Sequence, residues 1–429
     1  MLTRWRTSLL RATVVFLTVL MSCGSLGAYS VLTHEEIVDL AWASQMRPLL
    51  LRRFPNLSDD QIKVAHAYAY GGSVIQDLGY YPFGNKEFSD LVHYVRTGDF
   101  VLELLRQSQD ENEYAFALGA LSHYVADING HPAVNEAVAL RYPKLRAEYG
   151  DSVRYAQGTT AHLKTEFGFD TLQVAKNRYA SNQYHDFIGF MVAQPLLERT
   201  FPIVYGLPLK DVLSHEDLAI GSYRFSVSRI IPQMTQVALE THKKDLMSET
   251  PDFSKKKFLY RLSRFDYERD WGKTYTKPAF STRVLSVLFR YFPKIGPFKG
   301  LAFDNPTPRT EDLYIKSINA TVDRYQVDLE EVGAGTLALP NCDLDDGKPT
   351  QAAEYTLADE TYANLLTRLA TAKFDGTTQQ LRVNILAFYA DLSLSIDTKK
   401  DAVRWEAVLT DLNALKTAPP STIAAVPTP

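Results

Sequence analysis

Every histidine of this 429-residue chain lies between His34 and His242, and three potential metal ligands recur on a four-residue beat in His123-Tyr-Val-Ala-Asp127-Ile-Asn-Gly-His131. On a helix, four residues turn about 400°, so these side chains stack along one face. The apolar stripe of the same segment (Phe116, Leu121, Tyr124, Val125, Ile128) runs beside them, not opposite. Ligands next to a buried stripe point into a cleft between packed helices, so several helices must meet at this face. Gly130 and Pro132 predict that the helix ends near His131.

A second pair repeats the spacing in His162-Leu-Lys-Thr-Glu166, with Asp170 extending the row. Asp77 and His93 flank an aromatic, turn-rich loop, and His34 stands upstream. Each pair alone reads as a salt bridge or a satisfied core histidine; their joint occurrence points to metal. With only two cysteines, Cys23 and Cys342, no thiolate cluster is available. Imidazoles with carboxylates suit zinc, and the set is too rich for one four-coordinate ion, which implies two or three. His66 reads as a partner standing behind the ligands near Asp77, whereas His185 and His215 beside acidic neighbours read as polar or capping residues.

Helical periodicity also marks residues 34–51 with Thr33 as N-cap, 59–70 ended by Gly71-Gly72, 160–179, 185–198, 310–332, 359–373, 379–392 and 399–415. No run of period two is long enough for a sheet, so the expected class is all-α. At 45% hydrophobic the chain can fill two domains. Because residues 243–429 hold no histidine, the boundary is expected in 248–254. The expected division is a signal peptide over 1–28, a metal domain over 29–248, a mainly helical region of unassigned role over 249–416 and a disordered tail over 417–429. Residues 333–351 read as a loop with little pattern.

Arg4, Arg6 and Arg11 precede a short apolar run at 12–21 and then small residues, the pattern of an export signal. The protein is therefore expected to be periplasmic or secreted. Leu20-Met21-Ser22-Cys23 is similar to a bacterial lipoprotein box, which would put a lipid on Cys23; cleavage after Gly27 or Ala28 is the alternative. A net charge of −4 provides no field for nucleic acid, and no stable nucleic-acid partner is expected.

The ordered series Tyr29, His34, Asp77, His93, His123-x3-Asp127, His131 and His162-x3-Glu166 resembles the zinc-dependent phospholipase C and single-strand-specific nuclease superfamily. The likeness spans residues 29–245, and its specificity lies in the order of the pieces. It implies a multi-helix domain with zinc ions in a cleft. Asp77, His93, His123 and Asp127 are implied as ligands of one zinc, and His131, His162 and Glu166 of a second. Asp127 would bridge to a third, held also by His34 and by the amino nitrogen and carbonyl of a mature terminus at Tyr29, where the family usually has Trp. Most bacterial phospholipases and nucleases place five residues between the bridging Asp and the next His. The three found here are similar to the catalytic region of glycosylphosphatidylinositol-specific phospholipase D. Leu78, not an aromatic, follows Asp77, which departs from the familiar choline pocket.

The implied activity is hydrolysis of a phosphodiester, foremost a phospholipid head group, by a zinc-activated water that Asp77 orients or deprotonates. Tyr80, Tyr81, Phe83 and Phe88 are expected to rim the head-group site. Two alternatives stand beside this: a nuclease or nucleotidase with the same zinc site, and a non-catalytic zinc-binding module. Trp271, Tyr275 and the stretch 284–293, with Arg283, Arg290 and Lys294, are expected to pack on the metal domain or to lie on a membrane surface.

Overall fold

A computed structural model describes residues 31–175, 190–231, 305–419 and 421. The export segment with Cys23, Tyr29, His185, His242, the 248–254 boundary and the aromatic-basic stretch around Trp271 lie outside these residues. Among the described residues every element is helical, and the extended backbone pairs only at an isolated bridge between Cys342 and Pro349. The chain is all-α there. No described helix is long and apolar enough to cross a membrane.

The helices that build the site are α1 (Val31–Ala41), α2 (Asp59–Gly72), α3 (Lys86–Tyr94), α4 (Thr97–Gln107), α5 (Glu111–Arg141), α6 (Thr159–Ala175), α7 (Gln194–Tyr205), α8 (Glu216–Phe225) and α9 (Pro308–Ala334). Three more follow: α10 (Thr356–Thr371), α11 (Gln379–Phe388) and α12 (Ala402–Thr417). Their starts obey local chemistry. Ser58 and Gln61 form a capping box on α2, Asp110 caps α5 through the amides of Asn112 and Glu113, and Pro195 starts α7 later than periodicity suggests.

α5 is the central post, 31 residues long and about 46 Å at helical rise. α2 crosses it at contact distance because neither helix carries a side chain at the crossing. A Cβ on Gly72 would sit 1.9 Å from the Phe116 carbonyl oxygen, and one on Gly119 would sit 2.1 Å from that of Ala69. Gly72 therefore belongs to the helix and serves close approach, where sequence reading took Gly71-Gly72 for a break. α9 lies along α5 and α1, and its Tyr325 hydroxyl donates to the Leu118 carbonyl at 2.9 Å. One buried apolar core runs continuously through both sequence regions, from Val31 to Leu415.

Two expectations about helix ends are corrected. Thr33 is not an N-cap but lies inside α1, where its hydroxyl donates to Asp170 Oδ1 at 2.6 Å and meets the Tyr314 hydroxyl at 2.6 Å. The α5 helix does not stop near His131 but continues through Pro132 to Arg141. Proline at 132 removes the amide that would bond the Ile128 carbonyl, and the turn at Gly347 packs against that oxygen: a Cβ on Gly347 would lie 2.4 Å from it. Tertiary packing at the break thus keeps the helix going.

Candidate metal centre

Asp127, fully buried on α5, is the hub of the cluster. Its carboxylate faces four imidazoles: His123 Nε2 at 3.0 Å, His93 Nε2 at 3.4 Å, His34 Nε2 at 3.6 Å and His131 Nε2 at 3.7 Å. Asp77, on the 3-10 turn Ile75–Tyr80 that follows α2, meets His93 Nε2 at 3.5 Å. The ligand atoms of His34, Asp77 and His123 lie within 4.8 Å of one another, as do those of His93, His123 and Asp127. His131, His162 and Glu166 are not in these tight groups. His162 Nδ1 and Glu166 Oε1 pair with each other at 3.4 Å, and Glu166 feels the charge of His131 and Asp77.

The rings are held from behind. His93 Nδ1 donates to the Ser89 carbonyl at 2.7 Å, one turn back on α3. His123 Nδ1 donates to the Ser73 carbonyl at 2.9 Å, a contact that the glycine crossing of α2 and α5 makes reachable. His162 Nε2 donates to the Val153 carbonyl at 2.6 Å. Since a carbonyl only accepts, each of these nitrogens carries a proton, and the other ring nitrogen faces the carboxylates, where it can offer its lone pair to a cation. His131 Nδ1 faces a carboxylate instead, Asp345 Oδ1 at 2.9 Å.

This arrangement is uncomfortable without a cation. His93 Nε2, His123 Nε2, both Asp127 oxygens, Asp77 Oδ1 and Glu166 Oε2 are buried without a hydrogen bond of good geometry. Burial alone would raise the Asp127 carboxyl, but His123 and His131 outweigh it and hold it well below the usual range. Burial would lower His131, yet Asp127 and Asp345 push it well above the ordinary histidine value. Burial does lower His34, with His123 adding to the effect. Burial also lifts Asp77, and lifts Glu166 to about 7. Oxygen and nitrogen donors so placed fit zinc.

Several expectations end elsewhere in the molecule. Asp170 does not extend the ligand row: its carboxylate accepts from the Leu32 amide and the Thr33 hydroxyl and so pins the first turn of α1, which carries His34. His66 stands behind α1 rather than behind Asp77, with Nε2 3.0 Å from Asp39 and its ring stacked on Trp42 at 3.8 Å. Of the four aromatics expected at the rim, only Tyr80 borders the cluster, 6.0 Å from His93 between ring centroids. Tyr81, which ends the 3-10 turn, packs edge-on against buried Tyr223, and Phe88, turned inward on α3, stacks on Phe201 in the core. Phe83 stands 62% exposed, at a positive φ of 63°.

Other residues at the site carried no recognisable signal. Tyr155 faces both Tyr80 and His162, at 6.4 and 5.9 Å. Arg154 lies over the Tyr355 ring at 3.5 Å and pairs with Asp343, Asp345 and Asp346. Those aspartates belong to the segment that sequence reading left as a patternless loop. It is in fact tied down along its length: Tyr124 donates to the Pro340 carbonyl, Thr97 bonds both backbone groups of Cys342, and the Leu344 amide donates to the His93 carbonyl at 3.0 Å. The one available hint was the acidic turn Asp343-Leu-Asp345-Asp346-Gly347.

No curated protein and no solved structure matches the chain. Residues 33–213, which hold His34, Asp77, His93, His123, Asp127, His131, His162 and Glu166, match the family described as zinc dependent phospholipase C.

Proposed function

We propose that the cluster is a zinc centre that hydrolyses phosphodiester bonds, with phospholipid head groups as its substrate class. The family match supports a zinc-dependent hydrolase of the phospholipase C type. The observation that carries the residue assignment is the orientation of His93, His123 and His162. Each spends one nitrogen on a main-chain carbonyl and aims the other at buried carboxylates. In this reading Asp77, His93, His123 and Asp127 hold one ion, and His131, His162 and Glu166 a second. Asp127 and His34 would share in a third, with the mature terminus at Tyr29. Bound zinc would supply a water acidic enough to ionise near neutral pH and positive charge to offset that of the phosphate.

The chain's own groups do the rest. Asp77, a buried carboxylate beside His93, would orient the attacking water or take its proton. Tyr80 stands beside His93 and Tyr155 beside His162, with the two tyrosine rings 6.4 Å apart. There they exclude bulk water and border the incoming phosphate. Arg154 is committed to three aspartates, so it steadies the wall and does not bind phosphate. Export through residues 1–28, with or without a lipid on Cys23, completes the reading and would bring the enzyme to lipid substrates. Mass spectrometry of the mature terminus tests that part.

The paired rings of Tyr80 and Tyr155 would also suit a nucleobase, which keeps nuclease activity as the second reading. Full-length zinc-loaded protein should release phosphorylated head groups from phospholipids, and a chelator should stop it. Cleavage of single-stranded DNA without lipid hydrolysis would favour the nuclease. Zinc uptake with neither activity would identify a structural metal module.

A further inference from the structure

Asp345 lies outside the family-matched span, yet its buried carboxylate forms part of the wall of the cluster. Its two oxygens have different tasks. Oδ2 accepts from Arg154 Nε at 3.1 Å and from the Tyr155 amide at 3.3 Å. Oδ1 stands 2.9 Å from His131 Nδ1. The backbone is fixed as well, because the Asp345 carbonyl accepts from Asn135 Nδ2 at 2.8 Å, one turn beyond His131 on α5. Arg154 is itself gripped by Asp343 at 2.5 Å and seated on Tyr355. A carboxylate bound this way cannot rotate, and its remaining oxygen meets a single imidazole nitrogen. The two atoms meet as an ion pair without the alignment of a hydrogen bond; a proton held on Nδ1 toward this carboxylate would leave Nε2, which faces Asp127, as the nitrogen with the lone pair.

We propose that Asp345 is a positioning residue for His131, setting the ring and its tautomer so that Nε2 is presented to zinc. The proposal rests on the zinc reading of the site. Main-chain carbonyls of the family-matched span accept hydrogen bonds from His93, His123 and His162, whereas His131 Nδ1 is paired with a carboxylate contributed from far downstream. A carboxylate behind a ligand imidazole fixes its orientation and makes it a stronger donor, and losing such a partner typically costs about 10–100-fold in metal affinity.

The test compares full-length wild type, Asp345→Asn and Thr97→Val by zinc titration against a chromophoric chelator, with melting curves of the apo forms. Thr97→Val removes the bonds to Cys342 and loosens the same segment without touching Asp345. The expected result is a weakening of about 10–100-fold for one bound zinc in Asp345→Asn, with affinity in Thr97→Val within about threefold of wild type. Wild-type affinity in Asp345→Asn, or an equal loss in both variants, overturns the proposal. A measurement on wild type stands whether or not the variants fold. In zinc-loaded protein with 15N-histidine, His131 should carry its proton on Nδ1, assigned by the peak lost in His131→Gln. A proton on Nε2 overturns the proposal. Wild type that takes up no zinc overturns the zinc reading and this proposal together, whereas normal uptake with Asp345→Asn unaffected removes the positioning role alone.

Discussion

The imidazoles of His34 and His123 are stacked face to face, with ring centroids 4.4 Å apart and planes 12° from parallel. Their proton affinities diverge: burial lowers His34, whereas for His123 the carboxylates of Asp127 and Asp77 overcome burial and raise it. In the metal-free protein the stack therefore favours a proton on His123 over one on His34. Zinc must displace that proton, and the one on His131, whose affinity is also raised. Proton release on zinc binding is expected to be larger at pH 6 than at pH 9. Calorimetry in buffers of different ionisation enthalpy measures it, and pH-independent release would contradict the assignment.

Asp127→Asn should be the most damaging single change at the centre. It keeps the shape but removes the charge that four histidines face. Because loss of a supporting partner already costs about 10–100-fold, zinc affinity should drop by roughly 100-fold or more. Metal content after dialysis at a fixed free zinc concentration gives the answer.

Glu166→Gln should separate stability from metal binding. Burial raises the Glu166 carboxyl from 4.5 to about 7. Folded apo protein thus prefers the protonated acid, and this stabilisation is complete below the unfolded value and lost as pH rises through about 7. The amide imitates the protonated form at every pH. Apo Glu166→Gln should therefore be more stable than apo wild type at pH 8, by roughly 1–3 kcal/mol, and little different at pH 4.5. Denaturation of chelator-treated protein at the two pH values checks the sign. Zinc should reverse the order at pH 8, since the amide is the poorer ligand.

Gly347→Ala should dislodge the acidic turn. The residue has φ +72°, and its new Cβ would press against the Ile128 oxygen. A cost of about 1–3 kcal/mol is expected from strain and overpacking, read as a lower melting temperature. An unchanged melting curve would show that the turn can move aside.

Phe83→Asn probes the exposed aromatic. A left-handed backbone suits asparagine better than phenylalanine, so stability should hold or rise by up to about 1 kcal/mol. If Phe83 meets lipid, hydrolysis of phospholipid in vesicles should drop while that of a soluble short-chain diester is kept. Equal rates on both would remove Phe83 from the substrate surface.

Much of the cluster was legible because its side chains obey local rules. The spacing of His123, Asp127 and His131 follows from one helix, and α5 supplies it. What stays hidden at the level of sequence is whatever depends on another segment. The carbonyls of Ser73, Ser89 and Val153 that orient the rings belong to the backbone, so no residue type announces them. The helical run through Pro132 depends on packing by Gly347, and the inward turn of Phe88 on the partner Phe201. Asp345 reaches His131 through a loop without periodicity, and periodicity was the principal signal available.

The tethering of residues 340–347 to α4 and α5 bears on how the protein matures. Synthesis runs from the amino end, and early helices can fold before the rest has emerged. Yet the wall behind His131 arrives only when Asp345 does. A nascent chain halted near residue 231 would have the clustered histidines and carboxylates of 34–166 in hand but one face of the cluster open to water. Loading with metal should therefore be among the last events of maturation, and expression of residues 33–213 alone should give a protein that is poorly metallated even in abundant zinc.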